Sequence, residues 1–164
     1  MSIINKLRSA TKEKHDLLDK HKSLSKITTH RVNLDDYKSY LQLFYGIHSC
    51  IEPIISSNLD VGVEFESRLS KLNKELELFG LSKEYLSPKD PLFLDKDEVL
   101  GSLYVIEGSK LGGKMIVKNL KKNLSLDNHE YSFLDGSSSY SWKDTMTFIE
   151  EKAKGRSPET ISGA

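Results

Sequence analysis

Residues 101–113 read Gly-Ser-Leu-Tyr-Val-Ile-Glu-Gly-Ser-Lys-Leu-Gly-Gly. Leu103, Ile106, Leu111, Ile116 and Leu120 carry a helix through this stretch, starting at Asp95 or Asp97. A glycine inside a helix costs about 0.8–1 kcal/mol against alanine, so Gly101, Gly108, Gly112 and Gly113 together cost roughly 3–4 kcal/mol. That is a large share of the roughly 5–15 kcal/mol that holds a domain folded. Gly101, Gly108 and Gly112 are spaced by seven and four and so share one helix face. A face without Cβ atoms admits something flat and bulky against the backbone, or lets the helix bend. Tight packing at small residues, or a turn ending the helix at Gly112-Gly113, would use the same residues.

The rest of the chain reads as helices around this one. A first helix starts at Ser2 or Ile3 and runs to about residue 21, with the stripe Ile4, Leu7, Thr11 and Leu18. Asn33 caps a second, whose first turn holds Asp35 and Asp36. Its stripe Tyr37, Leu41, Phe44, His48, Ile51 and Ile55 reaches about residue 57, with a kink or early end expected at Pro53. Phe65, Leu69, Leu72, Leu76 and Phe79 mark a third, stopped by Gly80. Pro88 and Pro91 require a loop, a short segment surrounds Phe133, and a last helix spans about 139–154. There is no internal repeat and no convincing strand alternation. The expected organisation is one all-α domain over residues 1–155 with a frayed tail at 156–164.

The 164 residues suffice for one such domain. Hydrophobic residues at 37% and charged residues at 29% give a soluble globular balance. Lys+Arg and Asp+Glu are both 24, which argues against a nucleic-acid or anionic-membrane binder. Cys50 is the single cysteine, so an intramolecular disulfide and a cysteine-based zinc site are excluded. No apolar run approaches the roughly 20 residues of a membrane span. The start, Met-Ser-Ile-Ile-Asn-Lys-Leu-Arg, carries no signal-peptide core. A cytoplasmic location is expected.

A second cluster of chemistry lies in the first helix. His15 sits four residues beyond Thr11, Asp19 four residues further, and Arg8 seven residues before, about 10 Å along the axis. A metal-ligating imidazole usually gives its other ring N–H to a carboxylate or carbonyl, and Asp19 could take that bond across one turn. Arg8 could hold a carboxylate of the same ligand. An ordinary exposed helix pair would look the same. His48 reads as a core or pocket-wall histidine, whereas His21, His30 and His129 read as water-facing. Glu107, one turn from Lys110, reads as a helix-surface or structural ion-pair residue. No metalloprotease, Walker or nucleophile-elbow motif is present.

The two clusters together resemble the haem (heme) oxygenase family, especially its bacterial members. The string Leu7-Arg8 with Ala10-Thr11-Lys12-Glu13-Lys14-His15 is similar to the family's proximal helix. Leu103-Tyr104-Val105-Ile106-Glu107-Gly108-Ser109-Lys110-Leu111-Gly112-Gly113 is similar to its distal helix. Order and separation match, with Tyr37, Phe44 and Tyr45 between them, and the likeness covers residues 2 to 120. It implies a helical bundle with haem sandwiched between proximal and distal helices. In that frame His15 matches the axial ligand of iron, Asp19 its carboxylate partner, and Arg8 a residue meeting a haem propionate. Gly108 and Gly112 match the distal glycines, and Lys143, beside Trp142, a second propionate contact.

The implied activity is oxidative cleavage of haem, both cofactor and substrate, to biliverdin, carbon monoxide and ferrous iron. It would use O2 and an external electron donor, a reductase or ferredoxin. A neutral histidine ligand suits this better than a thiolate, whose electron push favours O–O cleavage. The protein's share is orientation and electrostatics, with backbone groups and ordered water on the distal side. Three departures stand out: Ser109 where mammalian-type members carry an aspartate, Leu103 where they carry a tyrosine, and an end at residue 164 that leaves little of the final helix. Ser109 and the early end keep open a haem-binding or sensing relative without turnover. A ligand-free helical interaction domain, its glycines serving packing alone, and a thiaminase-like enzyme using Cys50 are further alternatives.

Overall fold

Our computed structural model describes residues 2–58, 65–83, 94–136 and 140–154. Its elements are α1 (Ile3–Lys20), α2 (Lys22–Ser25), a 3₁₀ turn (Lys26–Thr28), α3 (Leu34–Asn58), α4 (Leu69–Leu78), α5 (Lys96–Asn123) and α6 (Trp142–Lys152). Among the described residues there is no strand, so the fold is all-α, as the helical spacing predicts. The expected loop at Pro88 and Pro91, residue 139 and the tail lie outside the described residues.

Side-chain caps set most of the helix starts. Asp95 accepts from the backbone N–H of Asp97 and Glu98, and the Glu98 carboxylate accepts from the Asp95 N–H. Ser141 and Asp144 make the same reciprocal pair ahead of α6, so that helix begins at Trp142, later than its apolar pattern implied. Asn33 accepts from the Asp36 N–H at 2.9 Å while Asp36 accepts from the Asn33 N–H at 3.1 Å, which confirms Asn33 as the cap of α3.

α3 reaches Asn58, next to the expected end near residue 57, and passes through Pro53, so of the kink or early end expected there the early end does not occur. One boundary is moved by a tertiary contact. α4 begins at Leu69, not near Phe65, because the N–H groups of Arg68 and Leu69 turn to the Glu52 carboxylate.

The core has two parts, and α5 belongs to both. Ile3, Ile4 and Leu7 of α1 meet Ile55, Val99, Leu100, Leu103, Ile106, Phe148 and Ile149 in one cluster. Tyr37, Tyr40, Leu41, Leu72, Leu76, Leu120 and the 131–134 segment, with Ile27 and Val32, make the other. Segment 107–113 of α5, with its three glycines, lies between the positions that α5 contributes to each. Asn119 fastens the far end of α5 by donating to the carbonyls of Ile27 and Thr29 at 2.9 and 2.8 Å.

Candidate functional site

Among the described residues, α1 is anchored at its beginning only. Ile3, Ile4 and Leu7 are its buried residues, and nothing from residue 8 to residue 20 is buried. The expected stripe therefore stops at Leu7: Thr11 is half-buried, its hydroxyl bonded back to the Leu7 carbonyl, and Leu18 is 55% exposed. The free part extends for about 20 Å. Exposed pairs at one-turn spacing support it weakly, Lys12–Asp16 at 2.9 Å and His15–Asp19 at 3.1 Å, both screened by solvent. In the second pair Asp19 Oδ2 meets His15 Nδ1, as the spacing predicts, which leaves Nε2 as the ring nitrogen for a metal. Arg8 and Asp19 are exposed like His15.

On α5 the glycines divide into two kinds. A Cβ on Gly113 would fall on the Leu134 carbonyl, so that glycine is required by packing. At Gly112 a Cβ would meet nothing within 4 Å. At Gly108 it would rest on the Trp142 ring at 3.4 and 3.7 Å. Packing thus accounts for Gly113 and leaves Gly112 facing open space. Near it, Leu111 and Met115 are 62% and 65% exposed. Leu111 thereby departs from its expected place in the apolar stripe, since Gly113 and Ile116 turn to the inside instead.

Behind this face lies a buried polar cluster. Arg68, 4% exposed, sends Nη2 to the Ile106 carbonyl at 3.0 Å and to Ser109 Oγ at 2.8 Å. Ser109 gives its own proton to the same carbonyl at 2.7 Å. The Arg68 guanidinium also lies 4.9 Å from the Phe133 ring centre and 3.5 Å from His48 Nε2. His48 is wholly buried, in agreement with its reading as a core histidine, and its Nδ1 pairs with Glu52. Burial holds His48 below its ordinary pKa, with the Arg68 charge acting in the same direction. The ring is therefore neutral, with Nδ1–H on Glu52 and the Nε2 lone pair towards Arg68. Burial alone would raise Glu52; hydrogen bonds from His48, Ser67 and the Arg68 backbone outweigh it and hold the carboxyl below its ordinary value. Burial also lowers Arg68, which remains a cation opposite Glu52 and Glu107.

The other singled-out residues sort plainly. Glu107 is buried and pairs with Lys110 at 2.7 Å, the structural ion pair rather than a surface one. His21 and His30 are exposed. His129 is not: its side chain is 9% exposed, Nε2 lies 3.2 Å from Glu75, and Tyr131 packs against its ring. The water-facing expectation for His129 fails because Glu75, Tyr37 and the Phe133 N–H draw the 129–133 segment onto α4. Lys143 is exposed at the start of α6, next to Trp142. Among the described residues no direct hydrogen bond or ion pair joins Arg8, His15 or Asp19 to Gly108, Ser109, Gly112 or Lys143; Leu7 and Leu103, in one core cluster, root both helices.

A protein-family model described as heme oxygenase matches residues 1–139. The chain belongs to the haem oxygenase family. The match spans the Arg8–Asp19 face of α1 and the Gly108–Gly112 face of α5, and stops short of Lys143. No curated protein and no solved structure gave a significant match. Membership in this haem oxygenase family supports a haem-related function, with haem binding as the implied property, and the all-helical fold agrees with it. Among the described residues no helix is long and apolar enough to cross a membrane.

Sequence reasoning missed Arg68, Glu52 and Glu75. Their positions were readable: Glu52 lies one turn beyond His48 on the apolar stripe, Arg68 four residues before Leu72 at the start of α4, and Glu75 three residues after Leu72 on its inner face. The pattern shows that these residues point inwards, but the partners come from other helices.

Proposed function

We propose that the chain is a haem oxygenase in activity as well as family. It would cleave haem to biliverdin, carbon monoxide and ferrous iron with O2 and an external electron donor, a reductase or ferredoxin, in the cytoplasm. The observation that carries this reading is Gly112: its open Cβ position, on a face with exposed Leu111 and Met115, fits a flat apolar ligand and not helix packing. The donor set fits the same ligand. His15 offers Nε2 to iron while Asp19 holds Nδ1 and fixes the tautomer. Arg8 and Lys143, both exposed cations, would meet the propionates.

Bound haem supplies the oxygen and redox chemistry together with the carbon skeleton that is cleaved. The chain's own residues orient and exclude. Leu18, Leu111 and Met115 would cover the macrocycle and keep bulk water from it. Gly112 leaves an opening between the side chains of that face, so the α5 backbone can approach the ligand closely there, while Gly108 makes room for the Trp142 ring. Ser109 serves as an acceptor there, its single proton being committed to the Ile106 carbonyl.

That commitment favours one other reading, a haem-binding relative without turnover, because Ser109 as held has no proton to hand on. Adding hemin, then reductant and air, separates the two. Growth of biliverdin absorption as the haem bands fade supports the enzyme. A ferrous or oxygenated spectrum that persists supports the binder, and no stoichiometric hemin complex contradicts both.

A further inference from the structure

Arg68 is a buried cation whose side chain crosses from the start of α4 to the glycine segment of α5. One nitrogen, Nη2, reaches both ends of the Ser109–Ile106 hydrogen bond, at 2.8 and 3.0 Å. Ser109 donates to the carbonyl one turn earlier in its own helix, and Arg68 donates to Ser109. The hydroxyl therefore has a single orientation, with one lone pair left for the exposed side of α5. The guanidinium is itself held, by the Phe133 ring face and by His48, whose other nitrogen rests on Glu52. Glu52 also binds the Arg68 and Leu69 N–H groups, so backbone and side chain of Arg68 are fixed by one carboxylate–imidazole pair.

This arrangement exceeds what joining α4 to α5 requires. Apolar residues do that at lower desolvation cost, since a buried cation is expensive unless fully partnered. We infer that Arg68 is a positioning residue: it locks the Ser109 hydroxyl and the Ile106 carbonyl behind the bare face of α5, so that Ser109 meets the ligand in one fixed, accepting orientation. The inference rests on the proposed haem site and adds to it a residue that acts only through Ser109.

The test is a double-mutant cycle of Arg68→Met and Ser109→Ala, with Arg68→Lys as a variant that keeps the charge. Two quantities are read: urea unfolding of the hemin-free chain, and the infrared C–O stretching band of the hemin-loaded, reduced protein under carbon monoxide. The expected unfolding result is non-multiplicative, the double variant falling short of the product of the singles by about threefold or more. The expected band is single and narrow in the parent chain. Arg68→Met shifts or splits it, Arg68→Lys does so less, and Arg68→Met adds nothing once Ser109 is alanine. A structural tie alone would change stability equally in both backgrounds and leave the band unmoved, which overturns the inference. Equal band changes in both backgrounds overturn it too. A parent chain that takes up no hemin defeats the functional reading and this inference with it; normal uptake without an Arg68 effect defeats the inference alone. If Arg68→Met does not fold, the cycle built on Arg68→Lys and Ser109→Ala decides the question by the same band.

Discussion

Gly112 and Gly113 are neighbours in sequence with opposite physics. Alanine at Gly113 puts a methyl group on the Leu134 carbonyl and should destabilise the chain by about 1–3 kcal/mol. Alanine at Gly112 meets open space and removes a helix-interior glycine, so it should stabilise by about 1 kcal/mol. Urea unfolding of the two variants checks both signs. Because Gly112 faces the proposed ligand, Gly112→Ala should nevertheless weaken hemin binding, measured by Soret titration. A stabilised variant with unchanged hemin affinity would remove Gly112 from the site. The sequence singled out the glycines by their cost and shared face. It could not separate Gly112 from Gly113, because the difference is made by the 131–136 segment, which reaches α5 from elsewhere in the chain.

At the scale of elements, α1 is the unusual helix. Isolated helices shorter than about 12–15 residues are marginal in water, and the part of α1 beyond Leu7 falls in that range with no buried anchor of its own. Backbone amides between residues 11 and 20 should therefore exchange with solvent much faster than those of α3 in the hemin-free chain. Hemin should slow them selectively, since it would supply the missing packing surface. Hydrogen-exchange mass spectrometry with and without hemin measures this; protection confined to α6 or to residues 26–36 would place the ligand elsewhere. The helical character of α1, α3, α4 and α5 was legible from three- and four-residue spacing. The start of α4 was not, because Phe65 continues the apolar pattern while the Glu52 carboxylate draws the Arg68 and Leu69 N–H groups into its own hydrogen bonds. A tertiary contact decided the boundary, and pattern alone carries no record of it.

Across the whole molecule, the buried His48–Glu52–Arg68 cluster lies between the two parts of the core and makes stability depend on pH. His48 is held below its ordinary value of 6.5, so the unfolded chain takes up a proton that the folded one refuses. Its contribution is complete above about pH 6.5 and declines as the pH falls below that. Glu52 is held below its ordinary 4.5, and its contribution is lost as the pH falls further, through the folded value. The urea midpoint should thus be level from about pH 6.5 to about pH 9, below the ordinary tyrosine range, and decline in two stages below pH 6.5. His48→Gln should flatten the first stage and leave the second; an unchanged first stage would show that other groups govern it.

The proposed activity depends most on His15, whose side chain is 73% exposed and, among the described residues, bonded only to its helix neighbour Asp19. Replacing such a surface residue should leave folding within about 0.5 kcal/mol of the parent chain. The decisive measurement is therefore the ferric hemin spectrum and hemin affinity of His15→Ala, on protein shown by urea unfolding to be folded. The histidine–haem spectrum should be lost and binding weakened, with imidazole added to the solution restoring the spectrum. An adduct with the parent spectrum and the parent affinity would contradict ligation by His15 and, with it, the assignment of α1 as the proximal wall.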